Sequence, residues 1–169
     1  GKVWSLSVSP SGKYVATGTY GPKNDAVVRV LAVETAQEVL SLTEGLPSYP
    51  FVLYSPDGNR LVTNVRSDPS GPRTAGMRVW NAHTGRPMFT VKGDCACFSP
   101  DGRRLATGGV GEGEVRIWDS EHGAELFTLK GHGDRVHCVA FSPAGRRLVG
   151  GCNASTVRVW NSQSGRELL

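Results

Sequence analysis

The stretch "CFSPDGRRLATGGVGEGEVRIWD", residues 97–119, carries the reading on which the fold depends. It contains a short apolar lead, a Ser-Pro-Asp-Gly turn, a second apolar run, a glycine-rich break and a third run ending in Trp-Asp. The pattern is not confined to this place. "VSPSGKYVATG" begins at residue 8, "YSPDGNRLVTN" at 54 and "FSPAGRRLVGG" at 141. Behind these units come "VRVL" at 28, "MRVW" at 77, "VRIW" at 115 and "VRVW" at 157. The turn prolines, Pro10, Pro56, Pro100 and Pro143, are 46, 44 and 43 residues apart. A period in that range points to one small four-stranded sheet per unit.

The fourth unit shows how the strands are read. "VHCVAF" (136–141) is a short apolar strand. "SPAG" (142–145) has Pro at the second position and Gly at the fourth, as a type I turn prefers. "RRLVGGC" (146–152) is the second strand, "NAS" a hairpin and "TVRVWN" (156–161) the third strand. "SQSG" turns the chain again, and "RELL" (166–169) begins a fourth strand. The runs are short and β-branched, and Gly, Pro, Asn and Ser bound them; none has helical period.

Composition agrees with a globular chain: 169 residues, 38% hydrophobic, 20% charged, with 22 glycines that frequent tight turns would use. There is no charged leader before an apolar stretch and no apolar run near the ~20 residues of a membrane helix, so a membrane partner is not expected. The chain starts without Met inside a strand pattern, which points to a piece of a longer protein. Cys95 and Cys97 are two apart in a strand-like run and share a face. With Cys138 and Cys152 they form neither a disulfide framework nor a metal-ligand pair, and they read as small buried hydrophobes in a reducing cytoplasm. No metal or cofactor is expected. The net charge is +4. Arg29, Arg78, Arg116 and Arg158 recur two residues before the Trp or its substitute, which reads as structural: the stem packs and the head reaches an acid or water.

Gly-His, an apolar strand, Ser-Pro-Asp-Gly, "LATGG" and "VRIWD" together resemble the WD-repeat β-propeller family, and the wording "SPDGRRLATGG" and "GRELL" resembles its bacterial branch. Gly131-His132 supplies the Gly-His, Trp118-Asp119 the Trp-Asp, and Trp80-Asn81 and Trp160-Asn161 the Asn variant. The resemblance implies an all-β fold of four-stranded antiparallel blades over 1–43, 44–92, 93–130 and 131–169. It further implies that these four belong to a larger ring, completed by further blades of the same protein or by a second copy. In the family a His, a Ser or Thr on the second strand, an Asp in the next hairpin and the Trp form a hydrogen-bonded chain. Here no unit keeps all four. The fourth has His132 and Trp160 but Ala154 and Gly150; the third has Thr107, Glu112 and Trp118, with Asp94 in place of the His; the first has Asp25 but Leu31 for Trp.

Two second-to-third-strand hairpins are long: "TYGPKND" (19–25) and "VRSDPSGPRTAG" (65–76). Loops on a rigid scaffold carry binding, although tolerated insertion also explains them. Trp4, Pro50, Asp94 and His137 occupy equivalent places where the innermost strands start; in the family this end opens onto the channel mouth, where partners bind. Partner contacts are therefore expected from Trp4, Asp94 and His137 and from the hairpin residues Asn24, Arg66 and Arg73. The link from Gly93 to Ser99 is short against Gly131 to Ser142, which points to a reduced third blade.

The chain has no H-E-x-x-H, G-x-S-x-G or P-loop, and "GGVGEG" (108–113) lies between strands rather than before a helix. Catalysis is not expected. Three functions follow: a protein-interaction scaffold or regulatory domain, which the resemblance implies; an anion or nucleic-acid binder; and the noncatalytic tail of a larger signalling enzyme such as a bacterial serine/threonine kinase. For the second, Lys13, Arg60, Arg103, Arg104, Arg146 and Arg147 follow the first turns and form a basic arc. Glu34, Glu121, Glu125 and Glu167 interrupt that face, whereas a nucleic-acid footprint is a single-sign stripe.

Overall fold

The structure, a computed structural model, describes residues 1–21, 25–66, 75–109 and 113–169, apart from the side chains of Arg66 and Ala75. Glu112, Asn24 and Arg73 lie outside the described residues. Fifteen strands and no helix are found among those described. The chain forms two compact units, Gly1–Thr90 and Val91–Leu169.

In the first unit β1 (Lys2–Val8), β2 (Tyr14–Tyr20), β3 (Ala26–Ala32) and β4 (Glu38–Leu42) form one antiparallel sheet in chain order. A second sheet has β5 (Val52–Tyr54), β6 (Arg60–Arg66), β7 (Ala75–Asn81) and β8 (Pro87–Lys92), again in order. The second unit repeats the plan with β9 (Cys95–Phe98), β10 (Arg104–Gly108), β11 (Val115–Asp119) and β12 (Glu125–Leu129), then β13 (Val136–Phe141), β14 (Arg147–Cys152) and β15 (Val157–Asn161). These meanders are propeller-type blades. The short link at Gly93 does not reduce the third blade, which has all four strands.

The fourth blade departs from the expected four strands. Residues 166–169 make one bridge, Trp160 to Glu167, and Val159 N–H donates to Leu169 O at 2.8 Å. A four-residue edge segment with a partner on one side only does not extend into a full ladder.

The Ser-Pro turns explain why the pattern repeats. The Ser99 hydroxyl donates to Asp101 Oδ1 and accepts Arg104 N–H at 2.9 Å, and Gly102 N–H donates to Ser99 O at 2.8 Å. The Ser99 bond, with the Arg103 N–H and the charges of Arg104 and Arg103, holds the Asp101 carboxyl below its ordinary range against partial burial. Ser55 and Asp57 repeat the arrangement, with Arg60 N–H on Ser55 Oγ at 2.9 Å. After the third strands of the second, third and fourth blades, one side-chain oxygen receives two backbone N–H groups: Asn81 from His83 and Thr84, Asp119 from Glu121 and His122, Asn161 from Gln163 and Ser164. Only the acceptor oxygen matters there, so Asn and Asp are equivalent after the Trp.

Inside the blades, Trp80 Nε1 donates to Thr63 Oγ1 at 2.9 Å and Trp118 Nε1 to Thr107 Oγ1 at 2.8 Å. Thr107 in turn donates to Lys92 O at 2.7 Å. That carbonyl does what a His was expected to do; Asp94 lies elsewhere, paired with Arg135 at 2.9 Å. The short link sets Lys92 over Thr107, because Gly93 passes so close that a Cβ on it would stand 2.6 Å from the Thr107 Cβ. In the fourth blade Gly150 replaces the threonine. His132 fills the space, its Nε2 2.7 Å from where a Cβ on Gly150 would stand, with its ring edge-on to Trp160 at 5.3 Å. In the first blade Leu31 leaves Thr17 without an indole, and Asp25 is exposed in the turn that Gly21 N–H closes onto Asp25 O.

The repeated arginines behave as read. Arg29 pairs with Glu38 at 3.0 Å, Arg116 with Glu114 at 2.5 Å and Glu125 at 3.9 Å, and Arg158 with Glu167. The second blade has Pro87 where the others have that fourth-strand glutamate, and Arg78 turns to Glu44 at 3.6 Å and lies over the Trp80 ring.

Removing the Thr107 hydroxyl strands a buried indole N–H and a carbonyl. Thr107→Val is expected to cost about 1–3 kcal/mol, and Thr63→Val a similar amount. Thr17→Val, at the equivalent place without a Trp, should stay within about 0.5 kcal/mol. Urea unfolding of the three variants checks this ordering. A second expectation concerns acid. Burial, then the Arg158 charge, holds His132 below its ordinary pKa, so the folded state favours neutral imidazole. Stability should fall as pH drops below about 6.5, where the unfolded imidazole starts to take a proton that the folded one refuses. Thermal unfolding between pH 7.5 and 5 should show the loss in the natural chain, and His132→Phe should flatten it.

Candidate partner-binding positions

The equivalent residues at the innermost strand starts share a backbone device in two blades. In β1, Val3 faces Thr19 and Ser5 faces Gly18, so Trp4 is an extra residue without an opposite. In β13, Val136 faces Cys152 and Cys138 faces Gly151, which makes His137 the extra residue. A bulge of this kind re-aims the side chain it adds. Trp4 and His137 are both exposed.

In the first unit Trp4 meets Tyr49 edge-on, ring centres 4.5 Å apart. The two residues remain 49% and 63% exposed, so the pair forms an aromatic step on the surface. Trp4 thus packs against the segment leading into the next blade and is open to solvent at once. Asn64 holds that segment, accepting Phe51 N–H at 2.7 Å and donating to Tyr49 O at 3.0 Å. The register puts Tyr20 at this same end, since Lys2 faces it. The Ser-Pro turn lies at the opposite end of the blade.

The second unit offers polar groups at the matching places. His137 Nε2 is bonded to Asn153 Oδ1, and Asn153 N–H donates to Arg135 O at 3.2 Å. Asp94 is largely covered by its ion pair with Arg135, whose side chain is 46% exposed. The outward chemistry here is therefore the guanidinium rather than the carboxylate. Of the hairpin residues expected to join these positions, Arg66 ends β6 with its side chain outside the description, and Asn24 and Arg73 lie outside it entirely.

Sequence reading missed Tyr49, Arg135 and Asn153, because each reaches its partner across a loop with no spacing rule. Thr63 was legible, lying 44 residues before Thr107 in the repeat. The basic arc is partly consumed internally. Arg60 pairs with Asp57 at 2.8 Å, and Arg104 donates to Ser162 O at 2.8 Å and Gly145 O at 3.1 Å while lying over the Phe141 ring. Arg103, Arg146 and Arg147 remain exposed.

Burial pushes the Cys95 thiol up to about 11 and the Cys97 thiol up to about 12, as small packed hydrophobes require. Among the described residues no three His, Cys, Asp or Glu side chains are grouped to hold a metal ion.

The family model for the WD domain, G-beta repeat, matches residues 1–30 and 123–161. The model for the anaphase-promoting complex subunit 4 WD40 domain matches residues 72–141. A search among curated proteins returns no significant match. The matched segments fall on blades whose turns, Trp–Thr bonds and strand order are those described above, and the chain belongs to the WD-repeat family.

Proposed function

We propose that the chain is a protein-interaction domain without catalysis of its own, and that it holds its partner at the ends of the blades where the innermost strands start. WD repeats serve as protein-interaction scaffolds, which is the coarse reading that family membership supports. The finer reading rests on one observation, the exposed Trp4–Tyr49 step aimed outward by a bulge. Rigid aromatic side chains at low entropic cost are what binding anchors are made of. The step suits an aliphatic or aromatic side chain of an extended peptide; the second unit, taken by itself, offers the charged donors of Arg135 to a carboxylate or carbonyl.

The test is a peptide-library selection on the immobilised chain, followed by titration of a selected peptide. Trp4→Ala should weaken binding by about 2 kcal/mol or more, roughly thirtyfold, without altering the unfolding midpoint. Arg103→Glu combined with Arg146→Glu should leave affinity within a factor of about two, as rim charges do. If the arginine pair abolishes binding and Trp4→Ala does not, the exposed basic arc is the working surface and an anionic ligand replaces the peptide.

A further inference from the structure

Counting from each turn proline and each Trp position allows the blade faces to be compared residue by residue. In the first unit the face made by Ala16, Val28, Val30 and Leu42 is covered by Val52, Tyr54, Leu61 and Trp80 of the next blade. In the second unit Ala106, Val115, Ile117 and Leu129 are covered by Val136, Val139, Leu148 and Trp160. The covered face thus presents small residues and valines, and the seated face presents the innermost strand and the Trp. Hydrogen bonds repeat with the packing. Val52 N–H donates to Ser5 Oγ at 3.2 Å and Tyr54 N–H to Ser7 Oγ at 3.0 Å; at the place of Ser5 in the other unit, Cys95 Sγ donates to Val136 O at 3.8 Å.

Among the described residues, two faces of these kinds have no other blade of their own unit on them. The fourth blade's equivalents of the covered face are Val149, Gly151, Val157 and Val159, with Cys138 at the place of Ser5 and Cys95. Val157 is 61% exposed, whereas its equivalents Val28 and Val115 are both 0% exposed. The glycine is the sharper sign. A Cβ on Gly18 would stand 2.2 Å from Pro50 O, and one on Gly108 2.5 Å from Val136 Cγ1, because the next blade's innermost strand passes directly over each. A Cβ on Gly151 would meet only Cys138 Sγ, of its own blade, at 3.0 Å. Among the described residues no strand crosses this glycine. Conversely, the first blade's equivalents of the seated face are open: Leu6 at 65% and Val8 at 54%, against 1% for Val52 and 8% for Tyr54 at the same places.

We propose that the free face of the fourth blade takes the first blade of a second copy of this chain, head to tail, with β1 lying across Gly151 as β5 lies across Gly18 and β13 across Gly108. The occupant follows from the fit. Leu6, Val8, Val15 and Leu31 stand at the repeat places that fill the covered faces in both units; Leu6 and Val8 are exposed and Val15 and Leu31 half-buried. Both surfaces are apolar and carry no charge at these places, so a charged segment would be poorly matched. The contact joins two different patches, one from each copy, and is heterologous rather than like with like.

Sedimentation velocity of the 169-residue chain at roughly 50 μM, which saturates a micromolar contact, should give at least twice the 18.0 kDa of one chain. Leu6→Glu and Val157→Glu should each run as single chains. Mixed one to one, they should recover a two-chain species, because the first keeps an intact fourth blade and the second an intact first blade. Labelling of the Cys138 thiol should slow where the chain associates. Both substitutions are at exposed positions; should either lower the unfolding midpoint, Leu6→Thr and Val157→Thr repeat the experiment. A natural chain that stays at 18.0 kDa, a mixture that fails to pair, or a Val157→Glu chain that still self-associates overturns the proposal.

Discussion

Close seating of one sheet on the next is the constraint from which the rest follows. A blade of four short strands has too little core to stand alone, and each unit contains two blades that share one. The shared core requires the innermost strand of one blade to run over the middle of its neighbour. Only a position without a side chain allows that approach, which is why Gly18 and Gly108 stand beneath Pro50 and Val136. The serines or cysteines beside them then meet backbone that would otherwise be buried without partners.

Within a blade the same economy of polar groups applies. A tryptophan large enough to fill the gap between strands brings an N–H that needs an acceptor, and Thr63 and Thr107 provide it. Where the threonine is missing, the fourth blade fills the space with His132 and leaves its Nε2 without a hydrogen-bonding partner among the described residues. The outer strands are held differently, by arginines reaching glutamates at the exposed edge. Such pairs contribute modestly each and serve mainly to fix the edge strand's position.

In each unit, the places where the innermost strands start carry side chains that the shared core does not use. Both bulges occur where an innermost strand starts, before the ladder becomes regular, so Trp4 and His137 turn outward at no cost to the shared core. The first unit thereby displays aromatic surface and the second a guanidinium with bonded polar groups. The turns at the other ends of the blades spend Arg60 and Arg104 on their own carboxylate and carbonyls.

Much of this was legible in the residues alone, because repetition turns local chemistry into a visible pattern. Strand and turn positions, the recurring arginine and the Thr107 and Trp118 places are set by contacts within one unit, whose spacing is constant. The sequence also carried the positions of the strand starts. It did not reveal that Trp4 and His137 are bulge residues, that Tyr49 stands against Trp4, or that Asp94 leaves the His place to Lys92 and pairs with Arg135. Nor did it separate the buried valines Val28 and Val115 from the exposed Val157, which stand in the same motif. Those outcomes depend on which strand lies over which face, and a one-dimensional pattern repeats the face without saying what covers it.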